Sequence, residues 1–210
     1  MATTVTRSLS IIVEDIEDGE YEDVKRNALS ISSQVHRLES LITDILDLAK
    51  ADLVNTETEL INLNDLLTET SSKLTKAYEA TDIVIDLKVP PTLMIRTEKT
   101  RLTQILENLL SNAIKYRDQN KNSPFVQVSI LETPDNVMIT VEDNGVGIPD
   151  EYKSKVFEIF QRFHPSIAIG SGLGLYIVKK HIDKMDAEIF FSSSNNGSSF
   201  NIIIKKENGK

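Results

Sequence analysis

Residues 107–116 read Glu107-Asn108-Leu109-Leu110-Ser111-Asn112-Ala113-Ile114-Lys115-Tyr116 and close a long helix that Thr97 is placed to cap. Asn108 and Asn112 are four apart, so they share a face of that helix, and Lys115 lies next to it, three beyond Asn112. Two carboxamide oxygens and an ammonium on one face suit a hydrated Mg ion and phosphate oxygens. Mg takes a few oxygen ligands and keeps water and phosphate, rather than an all-protein cage. Asn and Lys decorating a solvated helix face would look the same, so the surroundings must decide.

Downstream, Asp143-Asn144-Gly145-Val146-Gly147-Ile148-Pro149 comes directly after a strand. A carboxylate at a strand end accepts a hydrogen bond from an amino group such as that of adenine, and the glycines let backbone approach a ligand. A plain Asp-Asn-Gly turn has the same letters. Phe157-Glu158-Ile159-Phe160-Gln161-Arg162-Phe163 has the aromatic spacing of a helix face docking on a core, with Arg162 available to a phosphate. Gly170-Ser171-Gly172-Leu173-Gly174-Leu175 is a Gly-rich loop opening a helix, where backbone N–H groups meet phosphate. It lacks the Gly-Lys-Ser/Thr ending of a P-loop, and it comes too late in the chain for a dinucleotide-binding first turn.

The elements around these segments mix strands and helices without βαβ alternation. Glu59–Leu63, Ile83–Leu87, Leu93–Ile95, Phe125–Ile130, Val137–Val141, Glu188–Ser192 and Ser199–Ile204 read as strands. Pro134-Asp135 and Asn195-Asn196-Gly197 mark turns. Helices are expected after Asn64 or Asp65 to about Ala80, from Glu151 to Arg162, and from Gly172 to Met185. The class is α+β, a sandwich with one sheet face covered by helices. Before it, Val5, Leu9, Ile12 and Ile16 form one helical stripe, Asp18-Gly19 breaks it, and Val24, Ile31, Val35, Leu38, Ile42, Ile45 and Ala49 form a second. Two helices offer little core alone, so residues 1–52 are expected to pair as a dimeric four-helix bundle, with residues 53–210 as the second domain.

The chain has 210 residues, no Cys and a formal net charge of -9. An acidic balance argues against a broad nucleic-acid surface. Disulfide and thiol chemistry are excluded, and a reducing cytoplasm is expected. No apolar run reaches the roughly 18 residues of a membrane span, and Met1 to Thr6 does not read as a signal peptide. No membrane contact is expected from this chain.

In order and spacing, the four segments resemble the N, G1, F and G2 boxes of sensor histidine kinases, which share an ATPase fold with gyrase. The heptad hairpin resembles that family's dimerisation and phosphotransfer element. The resemblance implies Mg-ATP as cofactor, with Asn112 ligating Mg, Asn108 supporting the metal shell and Lys115 touching phosphate. Tyr116 would pack near adenine, Asp143 would bind its amino group, and Gly145, Gly147 and Ile148 would wall the nucleotide. Arg162 would approach the phosphates, and Gly170, Ser171, Gly172, Leu173, Gly174 and Leu175 would close over them. It implies transfer of the γ-phosphoryl group to a His on the first helix, then to an Asp on a response regulator receiver domain. Such catalysis rests on positioning and charge neutralisation. A dimeric nucleotide-binding module without autokinase activity, and a Ser/Thr kinase of the anti-sigma type on the same fold, are the alternatives.

Four departures from the family pattern stand out. The stretch between Phe163 and Ser171 is short, Asp186-Ala187 stands where paired Gly is usual, and Thr97 stands where an Asp often opens the first box. The fourth concerns the phosphoacceptor. Arg7-Ser8-Leu9-Ser10 resembles the stretch just downstream of the acceptor pattern, which puts the acceptor at about the residue preceding Met1, yet Met1 to Thr6 hold neither the acid nor the Pro of that pattern. His36 lacks the Pro that comes after the acceptor, and His164 and His181 fall in the second half. This chain is therefore not expected to phosphorylate itself on the usual His.

Overall fold

The alternation of Val126 and Val128 with Gln127 and Ser129 sends every second side chain of β4 (Phe125–Glu132) into the core. The same period buries Val137, Ile139 and Val141 of β5 (Asn136–Asp143). A computed structural model describes residues 12, 16, 21–53, 57–164, 167 and 170–206. In it, β4 and β5 are the centre of a five-stranded sheet. β2 (Val84–Lys88) flanks β4 in parallel, and β7 (Gly197–Lys205) and then β6 (Glu188–Ser194) come after β5, antiparallel. Phe200, Ile202 and Ile204 of β7 bury the same face as the β5 valines. The opposite face is polar, with the Thr140 hydroxyl donating to Asn201 Oδ1 at 2.9 Å. β1 (Glu59–Asn62) and β3 (Met94–Thr97) form a separate antiparallel pair.

Helices cover the apolar face. These are α2 (Leu63–Ala77), α3 (Lys99–Lys115) and α4 (Gly174–Lys184), interleaved with the strands in chain order; α1 (Tyr21–Leu53) precedes them all and packs on α4. α3 buries Leu102, Ile105, Leu106, Leu109, Leu110, Ala113 and Ile114, a stripe repeating every three to four residues. Each Leu or Ile side chain fully buried is worth about 1.5–3 kcal/mol, so this helix is fixed by packing, and Asn108 and Asn112 are left on its other side. α4 does likewise through Ile177, Val178, His181 and Ile182.

Several expected boundaries move, each for a local reason. Asn62, not Asn64 or Asp65, caps α2: its Oδ1 accepts the backbone N–H of Asn64 at 2.9 Å and of Asp65 at 3.1 Å. Thr97 is not the cap of α3. It ends β3 with its side chain buried, and Glu98 takes the cap position while its carboxylate holds Arg101 Nε at 2.5 Å. The helix expected from Glu151 to Arg162 is a 3-10 helix, Asp150–Lys155, continued by turns. Phe157 packs edge-on against Phe191 and Phe163 against Tyr152, while Phe160 is exposed at φ +62°. A continuous helix cannot hold that φ. The β6–β7 loop is Asn195-Asn196 alone, since Gly197 already pairs with Ser194. In the first apolar stripe Ile12 and Ile16 are helical; its remainder and the Asp18-Gly19 turn lie outside the described residues. Among the described residues no helix is long and apolar enough to cross a membrane.

Candidate functional site

α3, the end of β5, the loop after it and the start of α4 converge on one cavity. Asn108, Asn112, Lys115 and Tyr116 line it from α3 and its end, and Asp143, Gly147 and Ile148 from the β5 side. Gly170, Ser171, Gly172, Gly174 and Leu175 line it from the Gly-rich segment. The sequence-based site residues are thus brought together, with three exceptions. Gly145 is not among the lining residues, but its N–H donates to Asp143 Oδ1 at 2.8 Å, so it supports the wall from behind. Leu173 is buried at the start of α4, one helical turn before Ile177. Arg162 is half-buried and outside the lining.

The Asp143 carboxylate is the electrostatic centre. Burial pushes it up to about 6, against the N–H donors of Gly145 and Ser198 and the nearby charge of Lys121, which pull the other way. An acid that is costly to ionise in a cavity is available to a ligand donor that satisfies it. Its loop is held rigid. Lys121 Nζ donates to Asn144 O at 2.5 Å and Asn196 O at 3.2 Å, Asn144 Oδ1 accepts the Phe125 N–H at 2.8 Å, and Val146 N–H donates to Tyr116 O at 3.0 Å. Gly147 has φ +69°, and a Cβ there would fall 1.7 Å from Ser194 O, so only glycine fits this approach.

At the other end, the Asn108 amide donates through Nδ2 to Gln104 O at 2.9 Å, which fixes its orientation. Its Oδ1 then lies 2.8 Å from where a Cβ on Gly174 would sit, so a side chain at 174 would close the gap between α3 and the loop. Lys115 lines the cavity, and its ammonium lies 5.5 Å from the centre of the Tyr78 ring.

Other lining residues were not foreseen. His164 Nε2 donates to Gly147 O at 2.8 Å, and its ring lies 6.3 Å from that of Tyr116. Ser198 faces Asp143 from β7. Ser40 and Asp44 come from α1. Their only signal in the sequence is a polar pair four apart between apolar heptad positions.

Comparison with known proteins agrees with this geometry. The chain is 29% identical over 181 residues to sporulation kinase B of Bacillus subtilis, an overlap of 86% of this chain and 40% of that protein. The structure is similar to that of the Acinetobacter baumannii histidine kinase AdeS, with a TM-score of 0.71 and 23% identity over 99% of this chain and 98% of that one. It is also similar to histidine kinase ThkA in a complex with the response regulator protein TrrA, with a TM-score of 0.70 and 25% identity over 98% of this chain and 60% of that one. The chain spans less than half the length of sporulation kinase B. Residues 97–208 match the histidine kinase-, DNA gyrase B-, and HSP90-like ATPase family, and the chain belongs to that family.

Proposed function

We propose that this chain is the catalytic core of a sensor histidine kinase, which binds Mg-ATP in the cavity and passes the γ-phosphoryl group to a His for relay to a response regulator Asp. The observation that carries the reading is the convergence on one cavity of four segments far apart in the sequence, each bearing the residue type its role needs. Asp143 accepts the adenine amino group, with Tyr116 and Ile148 against the base. Lys115 and the Gly-rich segment hold the phosphates at the start of α4, where free N–H groups and the helix dipole favour anions. The Asn112 and Asn108 carboxamide oxygens suit Mg, which would neutralise phosphate charge. Arg162 reaches the phosphates only by moving from where it stands.

The division at residues 52 and 53 and the homodimer belong to the same reading. Val35, Ile42, Ile45 and Leu46 stay exposed along α1, an apolar stripe that a second copy would bury. A receiver domain is the partner that the relay requires, as TrrA is for ThkA.

A dimeric nucleotide-binding module without autokinase activity is the second reading, favoured by the histidines. His181 is buried, His164 is tied to Gly147, and His36 is exposed but bonds the Ser32 carbonyl of its own helix at 2.8 Å.

Calorimetric titration tests the nucleotide site. Asp143→Ala leaves the ligand amino group unpaired at about 1–3 kcal/mol, a roughly tenfold to hundredfold loss of affinity. Asn112→Ala weakens the Mg-dependent part of binding. Equal ATP affinity in wild type and Asp143→Ala sinks the assignment, and an unchanged Mg dependence removes Asn112 from its role.

A further inference from the structure

α1 reaches the cavity through two side chains one turn apart. Ser40 and Asp44 both line it and, being four apart, share a face. The Ser171 hydroxyl, buried within the Gly-rich segment, donates to the Asp44 carboxylate. The same hydroxyl accepts the Leu173 N–H at 3.1 Å, and Leu173 is the cap residue of α4. A carboxylate therefore sits, through one hydroxyl, at the N-terminal end of α4, which is where a helix favours an anion. It belongs to α1, an element outside the four segments singled out in the sequence.

We propose that Asp44 is a specificity-determining residue of the nucleotide cavity: its carboxylate takes the anion position beside Ser171 and selects against the phosphate end of an incoming nucleotide. This rests on the nucleotide reading of the cavity. A triphosphate brings several negative charges to the place where Asp44 already stands, and like charges at close range repel. The triphosphate and the Asp44–Ser171 contact therefore exclude one another, so nucleotide binding releases the start of α4 from α1. Adenosine carries no phosphate and is indifferent to Asp44. The position of α1 on the Gly-rich segment thereby sets the affinity for ATP without altering the base pocket.

Asp44→Asn separates charge from shape, since the amide still accepts from Ser171 and fills the same space. The full chain is titrated by calorimetry with Mg-ATP and with adenosine, at about 0.1 M and 1 M salt. These bracket screening lengths of about 10 and 3 Å. Asp44→Asn is expected to bind Mg-ATP about fivefold to tenfold more tightly at low salt, with the gain shrinking at high salt. Adenosine affinity stays unchanged. Asp23→Asn, which removes a half-buried acid from the same helix where it pairs with Arg26 at 2.8 Å, leaves both ligands unaffected. Unchanged or weaker Mg-ATP binding by Asp44→Asn overturns the proposal, weaker binding because Asp44 would then be assisting the metal or phosphates. So does an equal shift for adenosine. A wild-type chain that binds neither ligand overturns the nucleotide reading and this inference with it, whereas wild-type binding without an Asp44 effect removes only the role of Asp44.

Discussion

Replacing Asp143 with Asn separates the part this residue plays in the fold from the part it plays for the ligand. Burial raises the folded carboxyl to about 6, from the ordinary 3.8. A group raised on folding supports the fold fully below its unfolded value, and that support is lost as pH rises through the folded value. The ionised acid therefore weighs against the nucleotide-free protein by about 3 kcal/mol at pH 7.5 and about 1.5 kcal/mol at pH 5. Asn has the same outline. Its Oδ1 still accepts the N–H groups of Gly145 at 2.8 Å and Ser198 at 3.3 Å, and it does not titrate. The variant is expected to melt about 6–12 °C above wild type at pH 7.5, at roughly 2–4 °C per kcal/mol for a chain of this size. The gap should be about half as large at pH 5. At the same time the amide presents N–H to a ligand amino group, so ATP affinity falls about tenfold to hundredfold. Melting curves of both proteins at the two pH values, without nucleotide, check the first half, and calorimetric titration checks the second. A variant that melts at or below wild type at pH 7.5, or a gap that does not change with pH, refutes the reasoning.

Burial, and then the charge of Arg101, hold His181 down to about 4. Its support for the fold is present above about 6.5 and lost as pH falls toward 4, at about 1 kcal/mol between pH 7 and 5.5. Measured in the Asp143→Asn background, which removes the opposing slope, this loss should vanish in His181→Gln; a flat profile before that second change contradicts it. Lys at both Leu38 and Ile42 places charge on the apolar stripe of α1, where burial against a partner would cost several kcal/mol. Light scattering should then report monomers, and a wild type already monomeric at high micromolar concentration argues against the dimer. Incubation with γ-labelled ATP should leave this chain unlabelled, whereas acid-labile labelling abolished by His36→Ala would identify His36 as the acceptor.

The elements with strong periodicity were legible in the sequence. β4, β5 and β7 show alternation, and the long helix to Lys115 shows its stripe, because core packing acts on those positions directly. Four short segments pointed to the cavity because glycine and carboxamide have few reasons to recur in that order. Orientation escaped. Leu173 sits inside the Gly-rich segment yet turns into the core, since the first turn of α4 buries 173 together with 177. The heptad pattern of α1 marks an apolar stripe and says nothing of where its polar side docks, so the polar pair Ser40 and Asp44 could not be assigned to the cavity. The 3-10 helix at Asp150–Lys155 was misread because two aromatic anchors, Phe157 and Phe163, outweigh local helical propensity.

The cost of Asp143 comes from strand parity. Val137, Ile139 and Val141 face the core, so position 143 continues on the buried side of β5. It pairs with Val126 on one side and Ser198 on the other. No slip of register could carry the carboxylate to solvent without turning three core residues out as well. An apolar residue at 143 would satisfy the local pattern but would take the acceptor away from the N–H groups of Gly145 and Ser198. An ionisable acid breaks that pattern, and the two N–H groups aimed at one of its oxygens compensate only in part, because the folded value remains raised. Such a conflict, where every neighbouring position obeys the pattern, is what the proposed ligand role of Asp143 accounts for: a bound donor would complete the carboxylate's hydrogen bonds. On the nucleotide reading proposed above, the polar end of this core-facing row is where the base pocket falls. It also makes Asp143 the residue at which folding stability and ligand affinity must move in opposite directions.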